Sequence, residues 1–266
     1  MEALIAAGRH ILLEGPVGTG KTTLALDVAR SLGRPVFRVD GDGRYTEQKL
    51  VGSFDPKLVL ERGFVRESFL PGPLFQAMEA GGILLMNELN RMPEMVQNVL
   101  LPALDEGLLQ IPVLGTVRAQ SGFCVIATQN PREFVGTSAL SEALLDRLEW
   151  VGLGPMSEEE EQLIVSGHLG AQVGDGMVAE CVALVRMTRS HTRVKRGASV
   201  RASITLARIV ASTGIRSIED SEFAAAAKSV LANRIELQSG KFSSLPYSEL
   251  LDELLQELLD ALKKKS

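Results

Sequence analysis

The chain has 266 residues, of which 45% are hydrophobic, enough to fill a core and to exclude wholesale disorder. Lys and Arg total 28 against 33 Asp and Glu, a formal charge of −5, so nothing in the balance suggests a protein that coats nucleic acid. No apolar run is long enough to cross a membrane and "MEALIAAGRH" has no basic lead, so a cytoplasmic chain without membrane insertion is expected.

In chain order, "HILLEG", "PVFRVD", "GILLMNE", "GFCVIATQN" and "DRLEWVGL" read as strands, and "KTTLALDVARSLG" and "PEMVQNVLLPALDEG" as helices between them. Nearly wholly apolar strands alternating with helices predict a parallel sheet covered on both faces, an α/β class. Two stretches break the rhythm. "LVLERGFVRESFL", with its turn between Arg62 and Phe69, and "LLQIPVLGTVRAQ", around Pro112 to Val117, each read as a hairpin inserted into a crossover. The pattern changes at "GLGPMSEEEEQ", where Ser157 and Glu160 form a capping-box pair. From there the chain reads as helices. The last places Leu250, Leu251, Leu254, Leu255, Leu258, Leu259 and Leu262 on one face, with Lys263 to Lys265 closing its end, and is expected to pack onto its own domain. The division is therefore 1–155, an αβα core with two hairpin inserts, and 156–266, a smaller helical domain. Cys124 and Cys181 sit in apolar surroundings and read as buried free thiols. His10, His168 and His191 are scattered and suggest no metal cluster.

The chemistry begins at "GPVGTGKT", which fits G-x-x-x-x-G-K-[ST] after a strand and at the head of a helix. Gly15, Pro16, Val17, Gly18, Thr19 and Gly20 form a loop whose backbone N–H groups can cradle phosphate oxygens. The helix opened by Lys21, Thr22 and Thr23 adds positive potential. Lys21 is expected to reach the β- and γ-phosphates and Thr22 to ligate Mg2+. The strand "ILLMNELNR" then delivers Asn87 and Glu88. Glu88 would polarise the attacking water, and the residue before it would help hold Mg2+. Asn87 stands where a carboxylate is expected. Asn130, at the end of "CVIATQNP", could orient the water or simply end a strand. Arg147 in "LSEALLDRLEW" could stabilise transition-state charge from a neighbouring subunit or be a surface arginine. Arg201, in "RGASVRASITLARI", starts a helix and by itself is a solvated charge.

Together "LLEGPVGTGKT", "PGPLFQAMEAGGILLMNELNRMPEMVQNVLLPALDEG", "FCVIATQNP", "LSEALLDR", "GASVRAS" and "VLANRIEL" resemble the AAA+ ATPases, and within them the MoxR branch. The resemblance runs from about residue 10 to residue 238. It implies a P-loop core with strand order 5-1-4-3-2 and a helical lid. It also implies ATP and Mg2+ as ligands, Glu88 as the Walker B glutamate, Asn130 as sensor 1, Arg147 as arginine finger and Arg201 as sensor 2. Ring-shaped homo-oligomers, usually hexamers, and chaperone-like remodelling of a protein client, often with a von Willebrand A-domain partner, go with the family. The sequence departs from the pattern at Asn87. It also departs at its start, where relatives usually carry a longer segment enclosing adenine, which leaves base affinity and the choice between ATP and GTP open. Replacing a group that holds a metal through a bound water typically costs about 10–100-fold, less than loss of a general base or finger. A slow, Mg2+-dependent ATPase is the expectation. The alternative is a nucleotide-gated scaffold with vestigial hydrolysis. Nucleic-acid binding has only the basic stretch "RMTRSHTRVKRG" behind it.

Overall fold

In the computed structural model, which describes residues 1–130, 139–238 and 246–264, the chain divides into two compact units, Met1–Pro155 and Met156–Ser266. Pro131 and Lys265, on which the sequence reading also drew, lie outside the described residues.

The first unit is built on five parallel strands, β1 His10–Glu14, β2 Val36–Asp40, β3 Ile83–Asn87, β4 Cys124–Gln129 and β5 Leu148–Gly152. Their spatial order is β2-β3-β4-β1-β5, the expected 5-1-4-3-2. Side chains alternate across the sheet because successive Cβ atoms point to opposite faces. Ile11, Leu13, Ile83, Leu85, Cys124 and Ile126 pack with Ala25, Val28 and Ala29 of helix α1, Lys21–Ser31. On the other face Leu12, Leu84, Met86, Val125 and Ala127 pack with Leu74, Phe75 and Met78 of helix α2, Pro73–Ala80. Every residue of β3 is buried, which is why it reads as an unbroken apolar run.

His10 starts β1 and ties two elements together. Its Nε2 contacts the carbonyl of Leu104 at 3.2 Å, while the N–H of Val125 donates to its Nδ1 at 3.0 Å. An Nδ1 that accepts and an Nε2 that donates define the neutral ring. Burial, more than any neighbouring charge, holds His10 below its ordinary 6.5. The unfolded chain therefore binds a proton that the folded one refuses. The stabilisation is complete above about pH 6.5 and is lost as pH falls below it. Melting curves between about pH 5 and 8 should show the first unit weakening on the acid side. A melting temperature flat across that window, or a His10 ring resonance titrating at or above its ordinary value, would contradict this.

The second insert is the expected hairpin: Leu108–Ile111 pairs antiparallel with Gly115–Arg118, with Gly115 at a φ of 85°. The first is not the hairpin that was expected. Residues Phe69–Pro71 do form a strand, but its partner is Gly52–Phe54. Half of the stretch between is helix, Pro56–Arg62. The local reason is Asp55, whose carboxylate accepts from the N–H groups of Lys57 at 2.8 Å and Leu58 at 3.2 Å, followed by Pro56 in the first helical turn. Rings then hold the insert to the core: Phe54 meets Phe64 at 5.1 Å and Phe69 at 5.3 Å, and Phe69 meets Phe75 at 5.4 Å. The helix expected over "PEMVQNVLLPALDEG" is broken into Glu94–Asn98 and Leu100–Asp105, because Pro102 has no N–H for the turn before it.

The second unit is helical: α3 Glu158–Leu169, α4 Asp175–Ser190, α5 Val200–Thr213, α6 Ser221–Leu231 and α7 Tyr247–Lys263, with a small pairing of Val194–Arg196 against Glu236–Leu237. Ser157 caps α3 in a complete capping box with Glu160. Leu251, Leu254, Leu255, Leu258, Leu259 and Leu262 of α7 are buried in this unit's core with Val182, Val185, Leu206 and Phe223, so the leucine stripe is packing. The basic stretch is neutralised within its own unit. Arg186 and Arg189 both reach the buried Glu161, Arg193 reaches Glu253 and Glu257, and Lys195 reaches Glu236. Cys124 and Cys181 are free and buried, and burial pushes both thiols up to about 12, which leaves them protonated and unreactive. No helix among the described residues is long and apolar enough to cross a membrane.

Candidate nucleotide site

Four strand ends and one helix start converge at the carboxyl edge of the parallel sheet, where open α/β sheets place their ligands. The loop from Gly15 to Gly20 leaves β1 and turns into α1, with Gly20 at the helix entrance in the left-handed region (φ 77°). A side chain there would be strained, which fixes glycine at this step of the motif. Thr19 closes the loop by donating its hydroxyl to the Pro16 carbonyl at 2.9 Å.

Lys21 is 9% exposed. Its ammonium donates to the carbonyls of Gly15 at 2.7 Å and Pro16 at 2.9 Å, and to Oδ1 of Asn130 at 3.0 Å. Asn130 therefore presents its oxygen to Lys21 and its amide to the other side, where Nδ2 donates to Oε1 of Glu88 at 3.2 Å. One side chain at the end of β4 thus ties the P-loop lysine to the carboxylate after β3.

Glu88 has a left-handed backbone, φ 53° and ψ 50°. This is an unusual conformation for a residue with a side chain and a form of strain that functional sites retain. Its N–H donates to Oγ1 of Thr128 at 3.0 Å. Its Oε2 accepts from Arg91, one short turn later, at 2.7 Å. Gly41 allows the chain after β2 to run against this turn: its N–H donates to the Asn87 carbonyl at 2.7 Å, and a Cβ at Gly41 would lie 2.1 Å from the Glu88 carbonyl.

Asn87 is buried at the end of β3. Its Oδ1 accepts the Thr22 hydroxyl at 3.0 Å and its Nδ2 donates to Oδ1 of Asp40 at 2.8 Å. Asp40 ends the neighbouring strand and is paired in register with Asn87. Its carboxylate also takes Arg38 at 2.8 Å. The guanidinium first, and the Asn87 amide second, hold that carboxyl below the ordinary carboxylate range. The Thr22 hydroxyl beside the Asn87 amide oxygen, with the Glu88 carboxylate on the next residue, offers oxygen donors of the kind Mg2+ prefers. The residues present fit that ion.

The remaining sequence candidates lie elsewhere. Val17 and Thr23 are on the outer side of the loop and helix, with Val17 44% exposed. Arg147 follows the short helix Glu142–Leu145 and is held by its own chain, through the Ala143 carbonyl at 2.6 Å and the carboxylate of Asp105. Arg201 is exposed in the first turn of α5, in the second unit. Sequence reasoning missed Asp40, Arg91 and Thr128. The signal for Asp40 was available: "PVFRVDG" and "GILLMNE" are adjacent parallel strands ending in Asp and Asn at one register position.

Residues 10–148 match the family model described as AAA domain (dynein-related subfamily). Among curated proteins the chain is similar to the gas vesicle ATPase GvpN2 of Halobacterium salinarum, 30% identical over 97% of this chain and 76% of that protein. It is also similar to the gas vesicle ATPase GvpN of Haloferax mediterranei, 32% identical over 83% of this chain and 66% of that one. Among solved structures, a RuvB variant of Thermotoga maritima shares the fold, with a TM-score of 0.55 at 17% identity over 86% of this chain and 66% of the other.

Proposed function

The chain belongs to the dynein-related AAA domain family, and from that premise we propose that it is a MoxR-like, Mg2+-dependent ATPase that remodels a protein client. The observation that carries the reading is the bridge Lys21–Asn130–Glu88, which sets a phosphate-binding cation and a candidate general base on opposite sides of one amide. In this reading the loop N–H groups and Lys21 bind the β- and γ-phosphates, and Glu88 takes the proton of the attacking water. Asn130 keeps the two in register. Thr22 and Asn87 would hold Mg2+, which would supply positive charge to offset the charge developing on the phosphates. Arg147 acts on a neighbouring subunit's nucleotide in a ring, a hexamer by family habit. Arg201 senses the nucleotide from the helical unit, which serves as the lid.

The internal pairing of the basic stretch between Arg186 and Gly197 supports a protein client over nucleic acid. A von Willebrand A-domain protein is the partner proposed for the assembly. The names of the curated relatives point to gas vesicles as one place where such a client is met. Asn87 favours a second reading, a scaffold gated by nucleotide with vestigial hydrolysis, because it removes a charge from the metal side of the site. Phosphate release from ATP by the purified chain in millimolar Mg2+ separates the two. Slow release that EDTA abolishes is expected. Tight ATP uptake without release would select the scaffold, and no uptake of ATP at all would overturn both.

A further inference from the structure

Resting on the ATPase reading, we propose that Asp40 is a positioning residue for Mg2+, fixing from the next strand the donor orientation of the Asn87 amide that stands at the end of β3. An asparagine amide has one end that can serve a cation and one that repels it, and the two ends are nearly equal in size. Which end faces Thr22 is decided by what holds the other. Asp40 when ionised can only accept, so the 2.8 Å contact from Asn87 Nδ2 commits the amide nitrogen to β2 and turns Oδ1 toward the Thr22 hydroxyl. A carboxylate at the N–H end of an amide also polarises it, making the carbonyl oxygen a better partner for a hydroxyl or a metal-bound water.

The scaffold makes the relay specific. Asp40 and Asn87 are opposed in register on adjacent strands, and the Gly41 N–H bond to the Asn87 carbonyl locks the two strand ends together. Arg38, two residues back on β2, also donates to that carboxylate oxygen, with Nε at 3.1 Å and Nη2 at 2.8 Å, from an exposed position. Charge and amide have in effect exchanged places: the usual carboxylate at the end of β3 is an amide, and the carboxylate stands one strand over.

An exchange of residues tests this. ATP binding to the full chain is measured by calorimetry while Mg2+ is titrated, and the Mg2+ concentration at half-maximal effect is read. Asp40→Asn is expected to raise it about tenfold or more, the range found when a group holding a metal ligand is lost. Asp40→Asn combined with Asn87→Asp, which returns the carboxylate to β3 and gives it an amide partner, is expected to bring it back near the parent. Asp40 is exposed on its outer side, and equal melting temperatures confirm that each variant is folded. An Asp40→Asn protein with the parent's Mg2+ dependence overturns the proposal. So does a doubly exchanged protein as weak as the single variant, which would mean Asp40 serves only strand packing. A parent that binds ATP without any Mg2+ dependence, or no ATP at all, overturns the ATPase reading beneath it, a result distinct from either.

Discussion

Glu88→Gln is expected to lower ATP turnover by about 10²–10⁴-fold while leaving ATP uptake intact, the loss typical of removing a general base. The substitution keeps the side chain's size. The new amide oxygen can still accept from Asn130, so the bridge to Lys21 and the shape of the site persist. What it cannot do is take a proton. Arg91 is the obstacle to consider, since its 2.7 Å contact turns one carboxylate oxygen away from Asn130. That pair is open to solvent, with the two side chains 55% and 38% exposed. Ion pairs this open to solvent are weak, so Arg91 can be displaced at little cost when nucleotide enters. The left-handed backbone of Glu88 is the firmer constraint, because Thr128 and the chain at Gly41 hold it from both sides. Single-turnover phosphate release beside calorimetric ATP binding measures both arms. Unchanged turnover in the variant would place the base on another residue.

The core was legible because its signals are physical requirements. A strand buried on both faces must be apolar throughout, as Ile83–Met86 is, and a phosphate loop must carry glycine where the backbone turns left-handed, as at Gly20. The site was legible as a set of strand ends, and the structure brings Lys21, Thr22, Asn87, Glu88 and Asn130 together. Two things were not. The first insert runs in short apolar blocks separated by polar ones, and a short helix and a strand look alike in such a stretch. Asp55-Pro56 was the local clue that decided for helix. Asp40 escaped although the expected strand order already made the two strands neighbours: in sequence it is 47 residues from Asn87, and their register, which strand order alone does not give, makes them partners. The short helices near Pro102 follow the same logic, a local backbone rule overriding a longer apolar periodicity.

Arg147→Ala is expected to lower turnover by about 10³–10⁵-fold, the contribution of an arginine finger supplied from another subunit. Within its own chain Arg147 is bound to the Asp105 carboxylate and the Ala143 carbonyl, with its Nε buried and unpartnered among the described residues. The Arg147 side chain is 26% exposed, so its guanidinium end can exchange the Asp105 carboxylate for another anion, and a phosphate oxygen of a neighbouring subunit's nucleotide is the acceptor proposed. Two outcomes separate this from a purely structural arginine. Parent activity per subunit should rise with protein concentration, because a lone chain has no finger at its own nucleotide. Mixing Arg147→Ala subunits into parent should depress activity more than their share, because each one silences a neighbour whose own residues are intact. Loss of the Asp105 pair alone would lower the melting temperature of the variant without poisoning mixtures. Activity that is independent of concentration down to the monomer, or that falls only in proportion to the variant added, would remove Arg147 from the neighbour's site.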